Sequence, residues 1–117
     1  KGVVSVFVSR FDRALDLKLK ELELAQSKFG IINATKCYHL VQSLENKNIR
    51  ALFASTGVKG DDLNPSYYID NLIFPYSINT APLNTIKSWI INGKTSQSKI
   101  LLEAECDSYF EDIKKHN

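Results

Sequence analysis

The chain has 117 residues, 44% of them hydrophobic and 24% charged, with a formal net charge of +2. That length suits one modest domain, residues 1–117, around a single core, and the composition is that of an ordinary globular protein. No basic cluster interleaves with aromatics, which disfavours nucleic acid as a partner, and the longest apolar run is about one strand long, too short to cross a membrane. Cys37 and Cys106 sit in no CxxC pattern and read as buried thiols of a reducing compartment. The chain opens on Lys1 and Gly2 with no leader pattern and no methionine. A cytoplasmic location, and an origin as a piece of a longer protein, are therefore the expectations.

Val3 to Val8 is a continuous apolar run rich in β-branched residues, the pattern of a strand buried on both faces of a parallel sheet. It gives way abruptly to Ser9, Arg10, Phe11, Asp12 and Arg13. Leu17–Lys28 has helix-forming composition and is predicted as a helical insertion. Gly30 reads as a break, after which the apolar spacing from Ile31 to Leu44 predicts an amphipathic helix over Asn33–Leu44. Ile49–Ser55 is the next strand. Pro65 suits the first turn of a short helix capped by Asn64, ended by Phe74 and Pro75. Ser77–Thr80 is a short strand, Pro82 opens a helix with Trp89 on its core face, and Ser98–Lys115 is a last helix. Strands alternating with helices predict an α/β fold with parallel strands and crossover helices. Such units make either a small open sheet or part of a closed barrel.

Chemistry in this pattern concentrates at the strand ends. Ala51 to Asp62 runs from a buried strand into Ser55, Thr56, Gly57 and Lys59, a plausible cradle for an oxyanion or phosphate. It lacks the spacing of an ATP-binding P-loop, and alone it reads equally as an ordinary strand-to-helix turn. Parallel strands put Ser9 and Arg10, Ser55 to Lys59, and Asn79 and Thr80 on one rim. Arg10 can hold a phosphate bidentately, with Lys59 as a point charge and Ser55 as a hydroxyl donor. The alternative for Arg10 is an ion pair with Asp12 or Asp16. His39 lies among apolar helix positions and reads as a packed residue, and His116 stands near the chain end with no metal-type spacing to it. Lys36 on a helix and Lys59 in a polar loop lack the desolvation that a Schiff-base lysine requires. Glu103, Glu105, Glu111 and Asp112 read as a solvated helix face.

Four segments in order, residues 5–12 (Ser-Val-Phe-Val-Ser-Arg-Phe-Asp), 30–38, 52–59 (Leu-Phe-Ala-Ser-Thr-Gly-Val-Lys) and 77–82, resemble the later part of transaldolase, closest to its bacterial branch with the Phe-Val-Ser-Arg and Ala-Ser-Thr motifs. The resemblance implies a TIM (β/α)8 barrel of which this chain supplies the last three βα units. It implies transfer of a dihydroxyacetone unit between sugar phosphates through a lysine Schiff base, with no cofactor or metal. By motif match it assigns Ser5 and Arg10 to the substrate site, Arg10 on the phosphate, and Ser55 as a further phosphate contact. Gly57 stands where the better-known branch has an arginine, and Lys59 is proposed to replace that charge. The family's Schiff-base lysine and its acid–base carboxylates belong to earlier strands, so no catalytic residue is expected in this chain and the isolated chain is expected to be inactive. Expected partners are sugar phosphates and the missing part of the barrel, or a second copy. The rival reading is a non-catalytic α/β module that binds phosphate or self-associates.

Overall fold

The computed structural model describes residues 2–24, 26–58 and 63–115. Strand β1 (Gly2–Phe7) is followed by helices α1 (Ser9–Glu21) and α2 (Phe29–Ser43), strand β2 (Ile49–Ala54), the single turn α3 (Tyr67–Asp70), strand β3 (Ile78–Asn79), and helices α4 (Leu83–Asn92) and α5 (Glu103–Lys114). The strands form one parallel sheet in the order β1-β2-β3. Its register pairs Ser5 with Leu52, Phe7 with Ala54, and Phe53 with Asn79. The parallel arrangement expected from the alternating pattern is present, and it is consistent with a partial TIM barrel.

Alternation along the strands decides what is covered. Val6, Ala51 and Phe53 turn toward the helices and are buried, together with Ala34, Tyr38 and Val41 of α2 and Tyr68, Leu72 and Phe74 of the α3 segment. Tyr38, Phe53 and Phe74 meet as an aromatic group, with ring centroids 5.0 Å apart for Tyr38–Phe74 and 5.8 Å for the edge-on pair Phe53–Phe74. A second group, Phe11, Phe29 and Phe110, joins α1, α2 and α5. The opposite sheet face is open: Val3 and Phe7 are 49% and 47% exposed.

Several boundaries differ from the sequence expectation. The first helix begins at Ser9, immediately after β1, and ends at Glu21, instead of running from Leu17 to Lys28. Gly30 does not break a helix but lies in the first turn of α2. A Cβ at Gly30 would overlap the Val8 carbonyl oxygen, so only glycine lets α2 start against the end of β1. The last helix starts at Glu103 rather than Ser98, because Ser98 is strapped to the α3 segment. Its hydroxyl donates to the Asp70 carbonyl at 2.6 Å and accepts from Ile73 N–H at 2.9 Å. Glu105 then caps α5 by accepting from Leu102 N–H at 3.0 Å. On α4, Leu83, Ile86 and Ile90 are exposed, and Trp89 is half-buried rather than core. Its indole N–H donates to the Lys94 carbonyl at 2.8 Å. No helix among the described residues is long and apolar enough to cross a membrane.

The close approach at Gly30 gives a direct test. Gly30→Ala should destabilise the fold by about 1–3 kcal/mol, the usual cost of overpacking, read as a lowered urea midpoint. An unchanged midpoint would show that α2 can withdraw from Val8 at no cost.

Candidate functional site

The ladder between β1 and β2 continues beyond both strands. Val8 N–H donates to Ala54 O at 2.9 Å and Ser9 N–H to Ser55 O at 2.8 Å. The two serine hydroxyls also meet, Oγ to Oγ, at 3.1 Å. Ser55 has φ 55°, the left-handed region that costs a non-glycine residue about 1 kcal/mol or more. That turn ends β2 and leaves the Ser55 hydroxyl against α1. The next residue, Thr56, is fully buried and donates to the Thr80 carbonyl at 2.6 Å, while Thr80 N–H donates to Phe53 O at 2.9 Å. The three strand ends are thus stitched into one rim.

Charge is distributed unevenly over this rim. Arg10 places its guanidinium 4.2 Å from the centroid of the Phe7 ring. Phe7 and Ser5 share a face by strand alternation, so Arg10 overlies the open face to which Ser5 belongs. Arg13, one helical turn further, extends Nη2 to within 3.5 Å of Ser55 Oγ. The structure therefore brings Ser55, Ser9 and Arg13 together, and Arg10 with Phe7 beside Ser5. Lys59 and His116 lie outside the described residues. The Asn79 amide donates to Leu72 O at 2.9 Å, and its Oδ1 is buried with no hydrogen-bond partner among the described residues.

Behind the rim stands a buried carboxylate. Asp12 is 1% exposed; Oδ1 accepts from Gly30 N–H at 2.8 Å and Oδ2 from the Tyr68 hydroxyl at 2.6 Å. Burial pushes Asp12 above the ordinary carboxylate value, outweighing the lowering by those two donors. Burial, and then the bond to Asp12, push the Tyr68 hydroxyl strongly up. Asp16 accepts from Ser27 N–H at 2.8 Å and the Ser27 hydroxyl at 3.3 Å. A cavity of about 330 Å³ opens here, lined among others by Ser9, Arg13, Asp16, Val58 and Tyr68.

Other reactive groups are engaged in packing. Lys36 is paired with Glu103 at 2.6 Å and Asp107 at 2.9 Å, and the hydrogen bonds to those carboxylates raise it, the opposite of what a nucleophilic amine needs. His39 Nε2 lies 2.7 Å from the Leu101 carbonyl. Cys37 and Cys106 are free thiols that burial pushes up. Among the described residues no cluster of three or more His, Cys, Asp and Glu is placed to hold a metal. Sequence reasoning missed Arg13 and Tyr68. Arg13 three residues after Arg10 was the available signal, but it has meaning only once the helix is known to start at Ser9. Tyr68 was hidden in an apolar stripe.

The described residues thus form a parallel α/β unit with hydroxyls and guanidinium groups gathered at the strand ends. The family model described as Transaldolase/Fructose-6-phosphate aldolase matches residues 1–117. A transaldolase of Helicobacter pylori (strain P12) is 44% identical over 117 residues, all of this chain and 36% of that protein. A transaldolase of Campylobacter jejuni (serotype O:6, strain 81116) is 50% identical over 105 residues, 90% of this chain and 30% of that protein. The chain belongs to the transaldolase/fructose-6-phosphate aldolase family, and it spans about a third of the length of the curated relatives it matches.

The buried carboxylate makes a pH-dependent prediction. Because the folded state raises Asp12, its contribution to stability is full below the ordinary value of 3.8 and is lost as pH rises through the raised value. Tyr68→Phe removes a donor to the charged form. It should cost about 1–3 kcal/mol at neutral pH and clearly less below 3.8, by urea unfolding at the two pH values. Equal loss at both would mean that the hydroxyl does not serve the ionised carboxylate.

Proposed function

We propose that the chain is the phosphate-holding part of a transaldolase, formed by the last three βα units of a (β/α)8 barrel. The whole enzyme transfers a dihydroxyacetone unit from sedoheptulose 7-phosphate to glyceraldehyde 3-phosphate, giving erythrose 4-phosphate and fructose 6-phosphate, through a lysine Schiff base. The single observation that carries this reading is the stitched rim. It gathers Ser9, Ser55 and Thr56 at the ends of parallel strands, beside two arginines on the following helix. In this reading Ser5, Arg10, Ser55 and Lys59 contact substrate, with Arg10 leaving its stack on Phe7 to take the phosphate.

The nucleophile belongs elsewhere in the barrel. β1, β2 and β3 contain no lysine. A Schiff-base lysine requires desolvation to lower its pKa, whereas Lys36 is held charged by two carboxylates. The open face carrying Val3, Ser5 and Phe7 is the one that the rest of a barrel would cover, since parallel sheets are ordinarily covered on both faces. The partners in this reading are sugar phosphates and the remaining strands, the chemistry needs no cofactor, and a cytoplasmic location accords with it.

A hybrid tests the proposal: this chain replaces the matching 117 residues of the Helicobacter pylori transaldolase. The hybrid should transfer dihydroxyacetone units, and Ser55→Ala in it should raise KM for fructose 6-phosphate about tenfold, the loss of one hydrogen bond to a charged group. Borohydride treatment of the 117-residue chain alone with fructose 6-phosphate should leave its mass unchanged. A folded but inactive hybrid would sink the assignment, and an adduct on the isolated chain would place the nucleophile within it.

A further inference from the structure

We infer that the protein wall closing the open sheet face presents a carboxylate to Arg50, at the end of the strands away from the rim. The inference rests on the barrel reading and adds the chemistry of one contact that joins this chain to the remaining strands. Arg50 is the one charged residue in β1, β2 and β3. Register pairs it with Val3, and pairs Leu52, two residues on, with Ser5 and Ile78. Strand alternation therefore puts Arg50 on the open face among neutral neighbours. It stands near the start of β2, whereas the rim follows that strand's end.

The guanidinium is held in place but not neutralised. Nη2 donates to the Ser77 carbonyl at 3.2 Å and Nε to the Tyr76 carbonyl at 3.5 Å. The Tyr76 ring centroid lies 4.9 Å from the guanidinium carbon, and the Tyr76 hydroxyl donates to the Lys47 carbonyl. Both acceptors are neutral, and among the described residues Nη1 makes no hydrogen bond and Arg50 no ion pair. An opening of about 370 Å³ lies here, lined among others by Val3, Arg50, Ile78 and Lys47, which adds a second cation. Glu45 lines the adjoining hollow beside Lys47 and Tyr76, and it does not pair with Arg50. An arginine does not shed its proton, so covering this face without a counter-charge would strand a cation in the interior. A carboxylate on the opposing wall matches the guanidinium fork and offsets that cost. A solute anion would leave the apolar neighbours uncovered, since Val3 is 49% exposed. The chain spans 36% of the Helicobacter pylori relative, so the remaining length of such a protein supplies the wall.

The hybrid with the Helicobacter pylori transaldolase tests the contact through its melting temperature at pH 7 in phosphate-free buffer. Arg50→Gln should lower it by about 5 °C or more, the effect of stranding a buried carboxylate. Arg50→Glu, nearly isosteric with Arg50→Gln, should lower it further, because two carboxylates then face each other. Arg50→Lys should lose less than either, since it keeps the charge without the fork. An Arg50→Glu hybrid as stable as Arg50→Gln, or more stable through attraction to Lys47, would overturn the pairing, and an active parent hybrid would leave the transaldolase reading standing. Inorganic phosphate that raises the melting temperature of the unaltered hybrid but not of Arg50→Gln would also overturn it, by showing a solute anion in the opening. A hybrid that does not fold would remove both.

Discussion

The buried carboxylate of Asp12 is the interaction on which the rest of the structure depends. It lies on α1, yet its two oxygens are held by the backbone of α2 at Gly30 and by the hydroxyl of Tyr68 on α3. One side chain therefore locks three helical segments against the end of the first strand. Hydrogen bonds to a charged group are worth about 1.5–3 kcal/mol each, and since burial of Asp12 already outweighs its two donors, losing either one leaves still more of the desolvation unopposed. The arrangement also depends on the missing side chain at position 30, because α2 must approach the Val8 carbonyl to present its N–H to Asp12.

That lock has a consequence for the rim. With α1 starting directly at Ser9, residues 9, 10 and 13 are delivered to the strand ends by a rigid helix instead of a loop. Ser9 meets Ser55, Thr56 reaches Thr80, and the ends of all three strands hold a common geometry through hydroxyl and backbone contacts. The left-handed Ser55 stores a small amount of strain at the point where β2 hands the chain to the site. The opposite situation holds on the open sheet face and along α4, where Val3, Phe7, Leu83 and Ile90 are exposed. These side chains have the apolar character of core positions, and their exposure accords with a chain that spans about a third of its relatives.

What could be read without coordinates followed from side-chain period. The β-branched run at Val3–Val8 and the apolar stretch at Ile49–Ser55 announced strands, and the parallel order followed from their alternation with helical stretches. Boundaries were harder. Nothing local distinguishes a loop from a helix start at Ser9-Arg10, because α1 has no side-chain cap and begins where the β1 ladder ends. Gly30 carries a low helix propensity, and its tertiary role outweighs that. Ser98 would suit a helix start, but its hydroxyl is taken by Asp70 and Ile73. Trp89 lies on an apolar stripe, yet the structure covers only part of it.

By itself the sequence determined the class of the protein: a parallel α/β unit whose polar residues gather after its strands, with motif segments at residues 5–12 and 52–59 that mark the family. It put forward Arg10, Ser55 and Lys59 as phosphate contacts from their types at the strand ends, and Ser5 from the motif match alone. Only the tertiary structure decided which of these groups meet. It joined Ser9 to Ser55 across 46 residues, turned Arg10 onto Phe7, and sent Arg13 to Ser55 across 42. The reason is physical: residue type is a local property, whereas the distance between two strand ends is set by sheet register and by the buried Asp12 that holds α1 in place.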